Sequence, residues 1–107
     1  MSEGSAESER RDNAGEILEE LFAVIESRKQ TLPEGSYTAH LLSHEKGENA
    51  VLEKLGEEMT ELIVAAKDDD RDEIAYEAAD VVYHLLVLLA AKEMDVDDLL
   101  SELASRR

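Results

Sequence analysis

The sequence predicts an all-α protein, a four- to five-helix bundle completed by dimerisation. Three observations carry that expectation. Apolar residues recur at helical spacing, and no stretch alternates as a strand does. The 107 residues include one proline and five glycines, most of them at joints between the periodic stretches. The segment from Arg71 to Lys92 is apolar around most of its circumference, more than one small bundle can cover. A second copy is expected to bury the remainder.

Residues 1–12 are polar, charged and small and read as a disordered acidic tail. Residues 13–107 read as a single domain. Its first helix is expected over Gly15 to Lys29, with Ile17, Leu18, Leu21, Phe22, Val24 and Ile25 on one face. Asn13 and Glu16 have the spacing of a capping box. Leu32-Pro33-Glu34-Gly35 breaks this helix, and Ser36 can cap a short one over Tyr37 to Leu42. The third helix, Glu48 to Lys67, should bury Val51, Leu52, Leu55, Met59, Leu62, Ile63 and Ala66. Gly56 in its middle costs about 1 kcal/mol relative to alanine. Asp70 with Glu73 resembles a capping box for the fourth helix, Arg71 to Lys92. Asp95 or Asp97 caps the last, with Val96, Leu99, Leu100 and Leu103 facing inward.

The balance of 27 acidic against 11 basic residues gives a formal charge of -16. This argues against nucleic-acid and membrane-surface partners, which call for basic patches. The same acidity fits a protein working in concentrated salt, where self-repulsion is screened. No cysteine is present, so neither a disulfide nor a thiolate metal site is possible. The N-terminal residues lack the apolar core of a signal peptide, and no uninterrupted apolar run approaches about eighteen residues. A cytoplasmic location is expected.

Four carboxylates stand out. Glu58 and Glu61 are three apart, and Glu77 and Asp80 repeat that spacing. On a helix each pair shares a face. An isolated E-x-x-E in so acidic a chain is as readily a solvated surface; Glu16 and Glu19 form one. Glu77 and Asp80 open the most apolar stretch of the molecule, where unpaired acids are costly. An antiparallel hairpin about Asp68-Asp69-Asp70 would place Glu61 and Glu77 at similar depth, so four carboxylates converge on one seam. Unneutralised they repel, and at least one holds a proton. A hard divalent cation relieves this, and oxygen-only ligands suit Mg²⁺, with Mn²⁺ as a substitute. Magnesium commonly shares its shell with phosphate oxygens, which points to phosphoanhydride chemistry. His84 lies one turn beyond Asp80, and Lys54 one turn before Glu58. Tyr76 and Tyr83 are most simply packing residues, and Lys46, Lys54 and Lys67 solvated ones.

The runs Pro33-Glu34-Gly35-Ser36-Tyr37-Thr38, Lys46-Gly47, Lys54-Leu-Gly-Glu-Glu-Met-Thr-Glu61 and Tyr76-Glu-Ala-Ala-Asp-Val-Val-Tyr-His-Leu-Leu-Val-Leu-Leu89 closely resemble the phosphoribosyl-ATP pyrophosphohydrolases of histidine biosynthesis. These belong to the all-α nucleotide pyrophosphohydrolases. The resemblance spans about residues 15 to 105. It implies Mg²⁺-dependent cleavage of phosphoribosyl-ATP, a nucleotide substrate, to phosphoribosyl-AMP and pyrophosphate by a homodimer. It places the catalytic metal on Glu58, Glu61, Glu77 and Asp80, with Glu57 able to assist. Substrate contacts are implied at Ser36, Tyr37, Thr38, Lys46, Lys54 and His84. Positions 40, 49 and 50, often basic in such proteins, are His40, Asn49 and Ala50 here, so phosphate binding leans on Lys46, Lys54 and the metal. No cyclohydrolase-like segment accompanies these motifs, so the following step is expected from a separate chain. The alternatives are a house-cleaning pyrophosphohydrolase of noncanonical nucleoside triphosphates, against which the P-E-G-S-Y-T run argues, and a non-catalytic acidic helical partner protein, against which the setting of Glu77 and Asp80 argues.

Overall fold

Capping chemistry sets the helix boundaries. A computed structural model describes residues 14–107, and these form five helices with no strand among them. The expected acidic tail, and Asn13 as a cap, lie outside the described residues. Helix α1 (Ala14–Thr31) runs two residues past its expected end. Thr31 Oγ1 donates to the Ser27 carbonyl at 2.9 Å, and Leu32, at φ 45°, then turns the chain away. Helix α2 (Tyr37–Leu42) starts where the Ser36 hydroxyl accepts from the Ala39 amide at 3.1 Å. Helix α3 (Glu48–Lys67) follows Gly47, whose φ of 61° suits a residue without a Cβ. Asp70 caps α4 (Arg71–Ala91), accepting from the Glu73 amide at 3.2 Å; only this half of the expected capping box forms. Asp95, not Asp97, caps α5 (Val96–Ser105), in a full capping box with Asp98.

Helices α3 and α4 both end in paired carbonyl-capping bonds. The Asp70 and Asp69 amides donate to Ala65 and Ala66, and those of Met94 and Glu93 to Leu89 and Ala90. This Schellman pattern places Asp69 (φ 55°) and Glu93 (φ 59°) in the left-handed region usually given to glycine.

Helices α3 and α4 form an antiparallel hairpin. Helices α1, α2 and α5 pack around the end of the hairpin away from its joint. The apolar core sits there: Phe22, Ile25, Leu41, Val51, Leu86, Val87, Ala90 and Val96. Lys29 ties α1 to this end by donating to the Ala90 carbonyl at 2.7 Å.

One expectation fails on α3. Leu52, Met59 and Ile63, assigned to its buried face, are exposed, as is Ala66. Val51 is buried as expected, and the other buried residues are Ala50, Glu58 and Ala65, the last two standing one position before Met59 and Ala66. One residue is about 100° of helix rotation. The rotation brings Glu58 against α4 and leaves Leu52, Met59 and Ile63 on an outer stripe. Of the other expected core residues, Ile17, Val24 and Leu103 are also exposed.

Helix α4, at 21 residues and a mean hydropathy of 1.6, is long and apolar enough to cross a membrane by length and composition alone. Its buried residues are Glu77, His84, Leu86, Val87 and Ala90, so only about a third of its apolar window is covered, and Tyr76 and Val82 remain exposed.

Candidate active site

The inward stripe of α3 and the first three turns of α4 bring acids together. One oxygen each from Glu58, Glu77 and Asp80 lies within 4.8 Å of the others. Glu58 and Glu77 are only 6% and 7% exposed, the burial expected of core leucines. One oxygen of each, Oε2, is buried with no hydrogen-bond partner. An orphaned buried carboxylate oxygen is costly, and two facing one another more so.

Proton affinity records the strain. Burial pushes the Glu77 carboxyl up to about 7, helped by its contacts with Glu61 and Glu58. Glu58 is raised too, chiefly by burial and then by Asp80 and Glu61. Glu61 reaches the cluster from the solvent side of α3, so all four expected acids border one seam, three inside and Glu61 at its exposed edge. Glu57 points away and holds Lys54 at 3.5 Å.

Lys54 lies 3.7 Å from Glu58 Oε1, with its side chain 37% exposed. Burial pulls its proton affinity down, but Tyr37, Glu57 and Glu58 outweigh this and hold it above the usual lysine value. It stays a cation beside the acids.

The P-E-G-S-Y-T run meets α4 through two adjacent rungs. Tyr37 Oη lies 2.7 Å from His84 Nε2, and Thr38 Oγ1 hydrogen-bonds Tyr83 Oη. His84 Nδ1 is 2.8 Å from the Asp80 carbonyl. A carbonyl only accepts, so Nδ1 carries a proton, and in the neutral ring Nε2 accepts from the Tyr37 hydroxyl. Both rings stand edge-on to neighbours, Tyr37 and Tyr83 each T-shaped against His84. Burial, and then the charges of Glu58, Tyr83 and Asp80, raise the proton affinity of the Tyr37 phenol against the opposing pull of Lys54. His84 and Thr38 are both 4% exposed and spent on internal bonds. They hold the turn on the carboxylate helix; Tyr37 and Lys54 are the groups with reach towards a ligand.

Lys46 is not brought in. It pairs with Glu53 at 3.2 Å on the surface. His40 is exposed and stacks edge-on with His44. Ser36 caps α2 and lines a surface cavity with Arg28, a residue the sequence reading passed over.

The donor set fits a hard divalent cation. It offers carboxylate oxygens only, two of them orphaned, in a seam that one lysine cannot neutralise. Acids of this kind in a helical hairpin, beside a lysine, equip a protein for phosphate-ester or phosphoanhydride chemistry. The family comparison narrows this class. The model of the family described as phosphoribosyl-ATP pyrophosphohydrolase matches residues 18–107. A phosphoribosyl-ATP pyrophosphatase of Haloarcula marismortui is 72% identical over 96 residues, covering 90% of this chain and 98% of the relative. One of Natronomonas pharaonis is 71% identical over 92 residues, covering 86% and 91%. The chain belongs to the phosphoribosyl-ATP pyrophosphohydrolase family.

Proposed function

We propose that the hairpin seam is the site at which phosphoribosyl-ATP is hydrolysed to phosphoribosyl-AMP and pyrophosphate, the second step of histidine biosynthesis, with Mg²⁺ or Mn²⁺ as the cofactor. The activity follows the family to which the chain belongs. The observation that carries the placement is the pair of orphaned, buried oxygens on Glu58 and Glu77. Glu58, Glu77 and Asp80 are the ligands in this reading, with Glu61 at the open edge and Glu57 steering Lys54. A divalent ion held there would offset their charge and would supply polarisation of phosphate oxygens. Lys54 supplies a compact positive charge to the departing or retained phosphates. His84 holds the Tyr37 hydroxyl in place from beneath.

The test compares turnover of phosphoribosyl-ATP with that of a panel of noncanonical nucleoside triphosphates, with and without Mg²⁺. Pyrophosphate release from phosphoribosyl-ATP alone, lost on chelation, is the expected result. Preference for the triphosphate panel would favour a house-cleaning enzyme, and metal-independent release would remove the cofactor from the reading.

A homodimer is part of the same proposal, and α3 offers an exposed apolar stripe in addition to the uncovered part of α4. Leu52, Met59 and Ile63, 44%, 45% and 58% exposed, form the outer stripe of α3 at positions seven and four apart. That is the spacing of a helix seam awaiting a partner. A second copy packed on this stripe covers it in cytoplasm-like solution. Sedimentation should give a dimer for the native chain and a monomer for Ile63→Glu; a native monomer would discard it.

A further inference from the structure

Nine basic residues lie in the described region, and most are accounted for. Lys46, Lys54, Lys92 and Arg106 pair with carboxylates. Lys29 caps Ala90. Among the described residues Arg28, Lys67, Arg71 and Arg107 form no ion pair. Of these four only Arg28 is partly buried. A partly buried arginine that pairs with no carboxylate among the described residues is a candidate to bind an anion in a chain of charge -16.

Arg28 also lines a cavity of ≈ 390 Å³ whose other walls are Pro33, Glu34, Gly35 and Ser36. Those residues form the turn at the head of the P-E-G-S-Y-T run. The Ser36 amide donates to the Pro33 carbonyl at 3.3 Å, and Gly35 has the φ of 81° that the third residue of a type II turn requires. Ser36 Oγ accepts from the Ala39 amide, which leaves its own proton free to donate. The next residue, Tyr37, reaches His84, one turn past Asp80. The cavity is thereby linked to the carboxylate helix through Tyr37 and His84.

We propose that Arg28 and the Ser36 hydroxyl form a phosphomonoester site for the phosphate on the phosphoribosyl group of the substrate. This rests on phosphoribosyl-ATP being the substrate. That molecule carries a phosphate at each end, and a nucleoside triphosphate lacks the second. A planar guanidinium binds a phosphate through two parallel hydrogen bonds. The site accounts for a turn that the carboxylate chemistry does not itself use, and it ties that turn to discrimination against ordinary nucleotides. Glu34, exposed on the same cavity, opposes the phosphate and moderates its binding.

Kinetics of Arg28→Gln, Arg28→Lys and Glu34→Gln test this, with ribose 5-phosphate and pyrophosphate as inhibitors. Arg28→Gln should raise KM for phosphoribosyl-ATP at least tenfold, about 1.4 kcal/mol, with kcat within about twofold. Inhibition by ribose 5-phosphate should weaken in parallel, while inhibition by pyrophosphate holds. Arg28→Lys should recover part of the loss, and Glu34→Gln should lower KM. The competing role is favourable charge at the C-terminal end of α1. That role predicts a lower melting temperature with KM and ribose 5-phosphate inhibition unchanged, and this outcome overturns the site. No turnover of phosphoribosyl-ATP by the native chain would sink the substrate assignment itself. Turnover with an unaltered KM in Arg28→Gln would sink only the second phosphate site.

Discussion

The two ends of the α3–α4 hairpin are built by opposite rules. At the end packed by α1, α2 and α5, Ile25, Val51, Leu86, Val87 and Ala90 are fully buried and apolar. At the joint end, from Glu58 on α3 to Asp80 on α4, the buried residues are Glu58, Ala65 and Glu77. Met59, Ile63, Val64 and Tyr76, all apolar or aromatic, face outward there. One end obeys the ordinary preference for carbon inside; the other reverses it. Apolar burial and dispersion stabilise the first end without any ligand. The second leaves charge unsatisfied within and apolar surface uncovered without. Packed carbon and exposed carbon, apolar core and buried carboxylates, are divided along the same two helices.

Paired substitutions break this comparison most directly. Asp80→Asn keeps shape and removes charge; kcat/KM should fall at least about a thousandfold, about 4 kcal/mol. Its apo melting temperature should hold or rise, because repulsion is relieved. Leu86→Ala, at a fully buried position, should do the reverse. It should cost about 2–5 kcal/mol of stability while the folded fraction retains its specific activity. If Asp80→Asn unfolds the protein, or remains active, the division fails.

Lys54→Met retains most of the stem and removes the cation beside Glu58. A fall in kcat/KM of about tenfold, with little change in melting temperature, is expected. An unaltered value would make Lys54 a surface ion pair of small worth.

Acid titration sharpens the contrast further. The Glu77 carboxyl, at about 7 in the fold, stands above its ordinary 4.5, and Glu58 is raised as well. Between those values the folded chain holds protons that the unfolded chain has released, so stability falls with rising pH. The contribution is fully present below about 4.5 and is lost as pH passes 7. The apo melting temperature should decline across that window, Glu77→Gln should flatten the decline, and Mg²⁺ should offset it. A native profile no steeper than that of Glu77→Gln would show that general charge repulsion is the whole effect.

The smallest change lies at the joint. Asp69→Gly removes the Cβ strain of a left-handed residue and should stabilise the fold by about 1 kcal/mol. Loss of stability would mean that the aspartate side chain contributes more than its backbone costs.

Local chemistry made much of this legible in one dimension. Ser36 and Asp70 cap the helices that follow them, because a short side chain that satisfies the first amides does so from sequence-near atoms. The all-helical class and the E-x-x-E and E-x-x-D pairs follow from a period of 3.6 and needed no partner helix to be read. Three things required the fold. The rotation of α3 that puts Glu58 and Ala65 inside in place of Met59 and Ala66, while keeping Val51 buried, is decided by packing against α4; the apolar pattern of α3 alone suits either face. Thr38 and His84 resemble ligand contacts in sequence, but the fold engages them with Tyr83 and Tyr37, bonds that span 45 and 47 residues. Arg28 sat unremarked at the end of an amphipathic helix, because only the return of the Pro33–Ser36 turn gives it a cavity to line. The sequence determines which residues can cap, which can pair and which repeat every turn, since those interactions are short-ranged. Which carboxylate is buried, which arginine lines a cavity and which apolar face is left exposed are set by contacts between segments distant in sequence, and only tertiary structure decides them.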